Sequence, residues 1–270
     1  MSLTQPPVYA APFDAIAARY DETFTTSQIG QAQRSSVWKE LERAFRPGDR
    51  VLDIGCGTGV DACFLAERGV QVVACDSSPQ MIAVATHRLK KSGQASLVQP
   101  RMLAAEEIGT LRGATVFDGA FSNFGALNCV HDLNTVARSL AGLLRPGAKV
   151  LLCWMGPCCL WEIVSYLARA EPEKAFRRFR REGVTAQFAS GAPLRIHYPS
   201  VRSIARTFAP EFRLISCKGI GIFVPPSYLE AWAKKFPRLL HLGTRADSWL
   251  ARCPGIRLLA DHLLLEFERG

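Results

Sequence analysis

Asp53 and Asp76, with the glycines between them, are the residues whose types and spacing say most about chemistry. Asp53 lies near the end of the apolar run Val51-Leu52-Asp53-Ile54, which leads directly into Gly55-Cys56-Gly57-Thr58-Gly59. A glycine-rich turn between a strand and a helix lets the backbone approach a ligand closely and presents helix N-terminal N–H groups to it. Asp76 follows a second apolar run, 21 positions beyond Gly55. A carboxylate at that place can accept from both hydroxyls of a ribose. The spacing Gly55-x-Gly57-x-Gly59 differs from the G-x-G-x-x-G of the common dinucleotide sites.

These residues need a strand on each side of a helix to hold them, and the sequence supplies that rhythm. From Arg50 to Met155, short β-branched runs alternate with amphipathic segments, the pattern of a parallel sheet covered by helices. Strands are predicted at Val51–Ile54, Gln71–Cys75, Ala95–Met102, Phe117–Ser122 and Ala148–Trp154. Helices are predicted at Val60–Arg68, from Pro79 to about Lys91, and at His131–Leu144, with Pro79 in the first helical turn and Ser92-Gly93 as a stop. Beyond Met155 the rhythm breaks. A basic helical segment is expected over about Cys158–Gly183, a helix at Val201–Phe208, a strand at Phe212–Val224 and a closing strand at His262–Glu268.

The match of Asp53 through Gly59 together with Asp76 resembles the class I, Rossmann-like methyltransferases that use S-adenosylmethionine. The resemblance covers about Phe13 to Met155, and the start, Phe13-Asp14-Ala15-Ile16-Ala17-Ala18-Arg19-Tyr20-Asp21, is similar to the entry of small-molecule and quinone methyltransferases. Later in the chain, Ile220-Gly221-Ile222-Phe223-Val224-Pro225-Pro226 before a helical insertion resembles small-molecule and lipid-pathway methyltransferases of the ubiquinone-biosynthesis type. The resemblance implies a doubly wound, seven-stranded, mostly parallel sheet with helices on both faces, an antiparallel last strand and helical lid insertions. The expected organisation is an N-terminal helical lid over 1–48, a cofactor-binding half over 49–155, a helical insertion over 156–200, and the remainder of the sheet over 201–270 with a substrate lid at about 225–261.

By the same resemblance, Asp53, Gly55, Cys56, Gly57 and Gly59 form the loop at the methionine part of S-adenosylmethionine. Asp76 meets the ribose, and Ser77 and Met81 meet the adenine. Ala105, Glu106 and Asn123 complete the cofactor set, Tyr20 closes over it, and Arg34 meets its carboxylate. Ala104 stands where that family often has an acidic residue. Ser122-Asn123-Phe124 lacks the Asp/Asn-Pro-Pro-aromatic motif of enzymes that methylate base amines. Cys158 lies near where RNA cytosine-C5 enzymes carry a nucleophilic thiolate, with packing as its ordinary role. Candidate bases for an acceptor that must lose a proton are His131, Asp132, His197 and Tyr20; no metal is expected.

The two additions beyond the sheet, Met155–Ser200 and Pro225–Asp261, are rich in Trp, Phe, Tyr and Leu. They favour a hydrophobic or aromatic, lipid-like acceptor methylated on O, N or C. The alternatives are an RNA or protein methyltransferase and a non-catalytic cofactor-binding scaffold. The net charge of +9 suits an anionic partner, and Lys174-Ala175-Phe176-Arg177-Arg178-Phe179-Arg180-Arg181 is either a headgroup-binding run at an anionic membrane or a solvated face with Phe176 and Phe179 turned inward. Without a base-gripping motif, nucleic acid is not the expected partner. The odd count of nine cysteines, several inside apolar runs, suits a reducing, cytoplasmic setting. No apolar run reaches the length that spans a bilayer.

Overall fold

The computed structural model describes residues 13–113, 116–186 and 193–270. Residues 1–12 of the expected N-terminal lid and 187–192 of the expected insertion lie outside the described residues. The chain enters through α1 (Ala17–Tyr20) and α2 (Gln28–Ala44). It then alternates β1 (Arg50–Ile54), α3 (Val60–Ala66), β2 (Gln71–Asp76), α4 (Pro79–Ser92), β3 (Val98–Met102), β4 (Phe117–Ser122), α5 (Leu133–Leu143) and β5 (Leu144–Met155). Ser78 caps α4 by accepting the Met81 N–H, Pro79 fills the first turn, and Gly93 ends the helix in the left-handed region.

The main sheet has the order β3-β2-β1-β4-β5-β9-β8. Its first five strands are parallel. The last strand, β9 (His262–Arg269), lies antiparallel between β5 and β8 (Phe212–Ile220). Side chains alternate between the two faces: Val51 joins one apolar cluster with α2 and α3, whereas Leu52 and Ile54 join another with α5 and α8 (Val201–Phe208). Both faces are therefore covered, as a parallel sheet requires. The strand order reverses between β1 and β4, and ligands of open α/β sheets bind outside the strand ends at such a reversal.

The expected helix over Cys158–Gly183 is broken in the structure. It becomes α6 (Leu160–Leu167), α7 (Pro172–Ala175) and a 3-10 turn at Arg177–Phe179. Ala170 with φ +57° and Pro172 interrupt it. An antiparallel pair follows, β6 (Val184–Ala186) with β7 (Leu194–Ile196), so the insertion is not all helical. The strand expected to reach Val224 stops at Ile220. Gly221 has φ +75°, and the Phe223 and Val224 N–H groups donate to Asp247 instead of a neighbouring strand. Asp247 belongs to α10 (Pro237–Leu250), which follows α9 (Glu230–Lys235) in the late insertion. β3 begins at Val98 rather than Ala95, and α5 begins at Leu133 because Asp132 caps it.

The basic run is not the solvated face with Phe176 and Phe179 turned inward. Arg177 and Arg178 donate to Glu162 at 2.7 Å, Arg178 also meets Asp261 at 2.8 Å, and Lys174 pairs with Glu171. Phe176 and Phe179 point outward. Among the described residues, no helix is long and apolar enough to cross a membrane.

Candidate functional site

A cavity of about 340 Å³ opens at the carboxyl ends of β1, β2 and β4. One side is polar: Gly55 and Gly57 from the glycine loop, Asp76 and Ser77 after β2, and Ala105 and Glu106 after β3. Tyr20 and Met81 also line it. The other side is apolar, with Phe124, Leu127, Val130, Met155, Leu194 and Ile196.

The glycine loop is held to its neighbours by backbone geometry. Gly55 has φ +74°, and a Cβ there would lie 2.3 Å from the Ala126 side chain. Glycine thus lets the loop after β4 close on the loop after β1. Gly59 has φ +74° and faces α4, where a Cβ would meet Ala85 at 2.9 Å. It serves the packing of α3 on α4 and does not line the cavity.

Asp76 accepts the Gly57 N–H at 2.8 Å through one carboxylate oxygen and the Ser78 N–H at 2.9 Å through the other. Each oxygen retains a lone pair for a ligand hydroxyl. Burial pushes the Asp76 pKa up, against the backbone N–H groups of Ser78 and Gly57. Asp53 is fully buried behind the loop and its pKa is raised well above the usual range, first by burial and then by Asp61 and Asp76.

Asp61 organises the rear of the site. It accepts from Arg34 at 2.5 Å, from the Trp38 indole at 2.7 Å and from the Asn123 amide at 2.9 Å. Arg34 stacks over Phe24 and Phe124, 5.3 and 4.8 Å from their centroids. Burial works against the Arg34 charge, but the Asp61 carboxylate raises its pKa and keeps it a cation. Phe124 takes φ +52°, a conformation that costs a side chain energy and persists where packing holds it. Here Arg34, Phe24 and His262 surround its ring.

Three buried polar atoms around this loop lack a hydrogen-bond partner among the described residues: Asp53 Oδ2, Arg34 Nε and Asn123 Oδ1. Unmatched buried polar atoms are costly. An amino-acid end, with one ammonium and one carboxylate, would match two acceptors and one cationic donor. A nucleoside end would match the free lone pairs of Asp76. The residues present therefore fit S-adenosylmethionine.

The structure gathers Tyr20, Gly55, Gly57, Asp76, Ser77, Met81, Ala105, Glu106 and Asn123 around the cavity. Arg34, Asp53, Cys56 and Gly59 lie behind that wall. Tyr20 is half-buried at the cavity, and desolvation there raises its phenol pKa, with Arg34 opposing. His131 is exposed and reaches the site through its backbone N–H to Glu106, at 3.2 Å. Asp132 caps α5 through the Asn134 and Thr135 N–H groups. His197 is tied by its backbone to Asn128, and its ring lies beside Gly183. Burial pushes the Cys158 thiol pKa up, away from a thiolate. Sequence reasoning missed Asp61 and the pair Leu194 and Ile196. For Asp61 the available signal was an acidic residue in the first turn of the helix after the loop.

Comparisons with known proteins follow the same outline. A family model described as a methyltransferase domain matches residues 51–147. A demethylmenaquinone methyltransferase of Mycobacterium marinum is 34% identical over 175 residues, 62% of this chain and 69% of that protein. One of Corynebacterium urealyticum is 32% identical over 146 residues, 53% of this chain and 57% of that protein. The chain thus spans from over half to about two thirds of these relatives' length. An S-adenosylmethionine-dependent methyltransferase structure from Mesorhizobium loti superposes with a TM-score of 0.55 at 17% identity, covering 89% of this chain and all of that one.

Proposed function

This chain belongs to the class I S-adenosylmethionine-dependent methyltransferases, in the small-molecule, quinone-type group, and from that premise we propose that it methylates a reduced, lipid-like quinone. One observation carries the choice of acceptor: the polar cradle of Gly55, Gly57 and Asp76 opens directly onto the apolar wall of Phe124, Leu127, Val130, Met155, Leu194 and Ile196. A planar hydroxylated ring with an apolar tail suits such a wall, and the demethylmenaquinone methyltransferase relatives support the same class.

When bound, S-adenosylmethionine supplies an electrophilic methyl: a ring carbon or oxygen of the acceptor bonds to it, the S–C electron pair returns to sulfur, and the acceptor gives up a proton. The chain's part is to bind, orient and exclude water. Asp76 would hold the ribose hydroxyls, and Ser77, Met81, Ala105 and Glu106, which line the same end of the cavity, would hold the adenine. Asn123 at the cavity wall, with Asp53 and Arg34 behind it, would take the amino-acid end, and the backbone from Gly55 through Gly59, Cys56 included, shapes the loop. Tyr20 covers the reacting centre. Of the candidate catalytic residues it alone reaches the cavity wall, so the hydrogen bond that steers the acceptor hydroxyl is assigned to it ahead of His131 and His197.

An acceptor of this kind resides in a bilayer, so the reading extends to peripheral contact with an anionic membrane from the cytoplasm. The nine free thiols support that compartment. Turnover of a short-chain demethylated naphthoquinol in detergent, followed by mass spectrometry, tests the proposal. A product heavier by one CH2 unit, a methyl in place of a hydrogen, is expected, and Tyr20→Phe should slow its formation more than His131→Ala. Equal loss in both variants counts against the Tyr20 assignment.

A further inference from the structure

We infer that α10 is a membrane-docking helix that seats the protein on an anionic bilayer. This rests on the proposed lipid-like acceptor and names the surface that would meet the lipid.

The helix has three faces. Leu240, Gly243 and Asp247 point inward and are buried. Leu239, Leu242, Ala246 and Trp249 follow at i, i+3, i+7 and i+10, a single stripe along a helix. In this stripe Leu239 is 51%, Leu242 58% and Trp249 82% exposed. A tryptophan so open to water is uncommon for a residue that normally buries most of its surface. Phe236, at the start of the helix, is also exposed. Arg238, His241 and Arg245 line the helix beside this stripe, and Lys234 and Lys235 precede it, all exposed.

The charge on this surface has one sign, for a structural reason. Residues 225–252 contain two acidic side chains, Glu230 and Asp247. Both are turned to backbone duty. Glu230 accepts the N–H groups of Gln28 and Ile29 at the start of α2, and Asp247 accepts those of Phe223 and Val224. What remains outward is apolar and cationic. Apolar side chains flanked by Lys and Arg, with a Trp at the boundary, are what an interfacial helix presents to an anionic headgroup layer. A water-facing helix would place charges where Leu239, Leu242 and Trp249 stand.

The basic run at Lys174–Arg181 is a poorer candidate, since Lys174, Arg177 and Arg178 are engaged in ion pairs within the protein. The docking charge therefore comes from the late insertion, which the sequence alone did not favour over that run.

The test is flotation of the full chain with phosphatidylcholine vesicles, with and without phosphatidylglycerol, at low ionic strength, alongside tryptophan emission. The wild-type chain should float with the anionic vesicles and its emission should shift to the blue. Leu242→Glu with Trp249→Glu should abolish both. Arg238→Gln with Arg245→Gln should weaken binding to anionic vesicles by roughly thirty-fold, given the usual gain of about 1 kcal/mol per basic residue at such a surface. Retained S-adenosylmethionine binding in both variants shows that they fold.

Failure of the wild-type chain to bind anionic vesicles overturns the inference, as does vesicle binding by the Leu242/Trp249 variant equal to wild type. So does a stable wild-type dimer, by light scattering, that this variant splits. Turnover of a detergent-dispersed acceptor separates the two levels. Activity there with no vesicle binding sinks the docking helix and leaves the methyl transfer standing, and vesicle binding without turnover of any quinol does the reverse.

Discussion

The hydroxyl of Thr58, in the glycine loop, donates to the carboxylate of Asp21 at 2.8 Å. The same carboxylate pairs with Arg88 of α4, and the Arg88 Nε donates to the Thr58 carbonyl at 2.9 Å. The segment carrying Tyr20 is thereby locked onto the loop it covers. Asp14 adds a second tie through the Ser78 hydroxyl.

Thr58→Val removes the loop's bond to Asp21 without changing shape. A lost hydrogen bond to a charged group is worth about 1.5 to 3 kcal/mol at most, so S-adenosylmethionine affinity should fall by roughly ten-fold. Calorimetric titration reads this directly. Affinity equal to wild type means that the segment's closure does not depend on this bond.

Asp76→Asn should act more strongly. An amide in this position faces two backbone N–H groups with one oxygen, so either Gly57 or Ser78 loses its acceptor, and the ribose loses a charged partner. Cofactor affinity is expected to fall by about a hundred-fold, in keeping with two charge-assisted bonds, with circular dichroism unchanged.

Asn128 fixes the apolar wall. Its amide donates to the Met155 carbonyl at 3.0 Å and to the His197 carbonyl at 2.6 Å, while its oxygen accepts the Met155 N–H at 2.9 Å. Through His197 it anchors β7, which carries Leu194 and Ile196. Asn128→Asp replaces the donor by an oxygen facing two carbonyls. The acceptor KM should rise by about ten-fold while cofactor affinity is kept, and amide exchange at Leu194–His197 should quicken. An unchanged KM would show that this hairpin does not shape the acceptor site.

Asp247 gives a pH signature. Burial pushes its pKa up to about 6, against the Phe223 and Val224 N–H groups. Its folded pKa lies above the unfolded one, so the folded state binds the extra proton in between. The group favours folding at acid pH, and that advantage is lost as pH rises through about 6, on the order of 3 kcal/mol. Asp247→Asn cannot titrate. The stability of the variant minus that of the wild type should therefore climb from acid to neutral pH in urea melts, and a flat difference would contradict this account.

The strand, glycine turn and helix from Val51 to Ala66 were legible because local pattern alone specifies them: a continuous apolar run, then residues that tolerate positive φ, then an amphipathic helix. Asp76 was legible for the same reason. The fate of Arg177 and Arg178 was not. Their partners Glu162 and Asp261 stand 15 and 83 residues away in sequence, and nothing local distinguishes an arginine bound inward from one in solvent. Leu194 and Ile196 were hidden because strands of three residues carry too little periodicity to separate from loop. The role of Asp61 depends on Arg34 and Trp38 of α2 and Asn123 after β4 converging on it from distant parts of the chain.

The most direct test of the account is methyl transfer from radiolabelled S-adenosylmethionine to a reduced demethylnaphthoquinone bearing a short prenyl chain, with bulk RNA and protein as competing acceptors. Label should appear in the organic-extractable quinone in step with S-adenosylhomocysteine formation, and should vanish in Asp76→Asn. Label in RNA or protein with none in the quinol, or tight cofactor binding without transfer to any quinol, would contradict it.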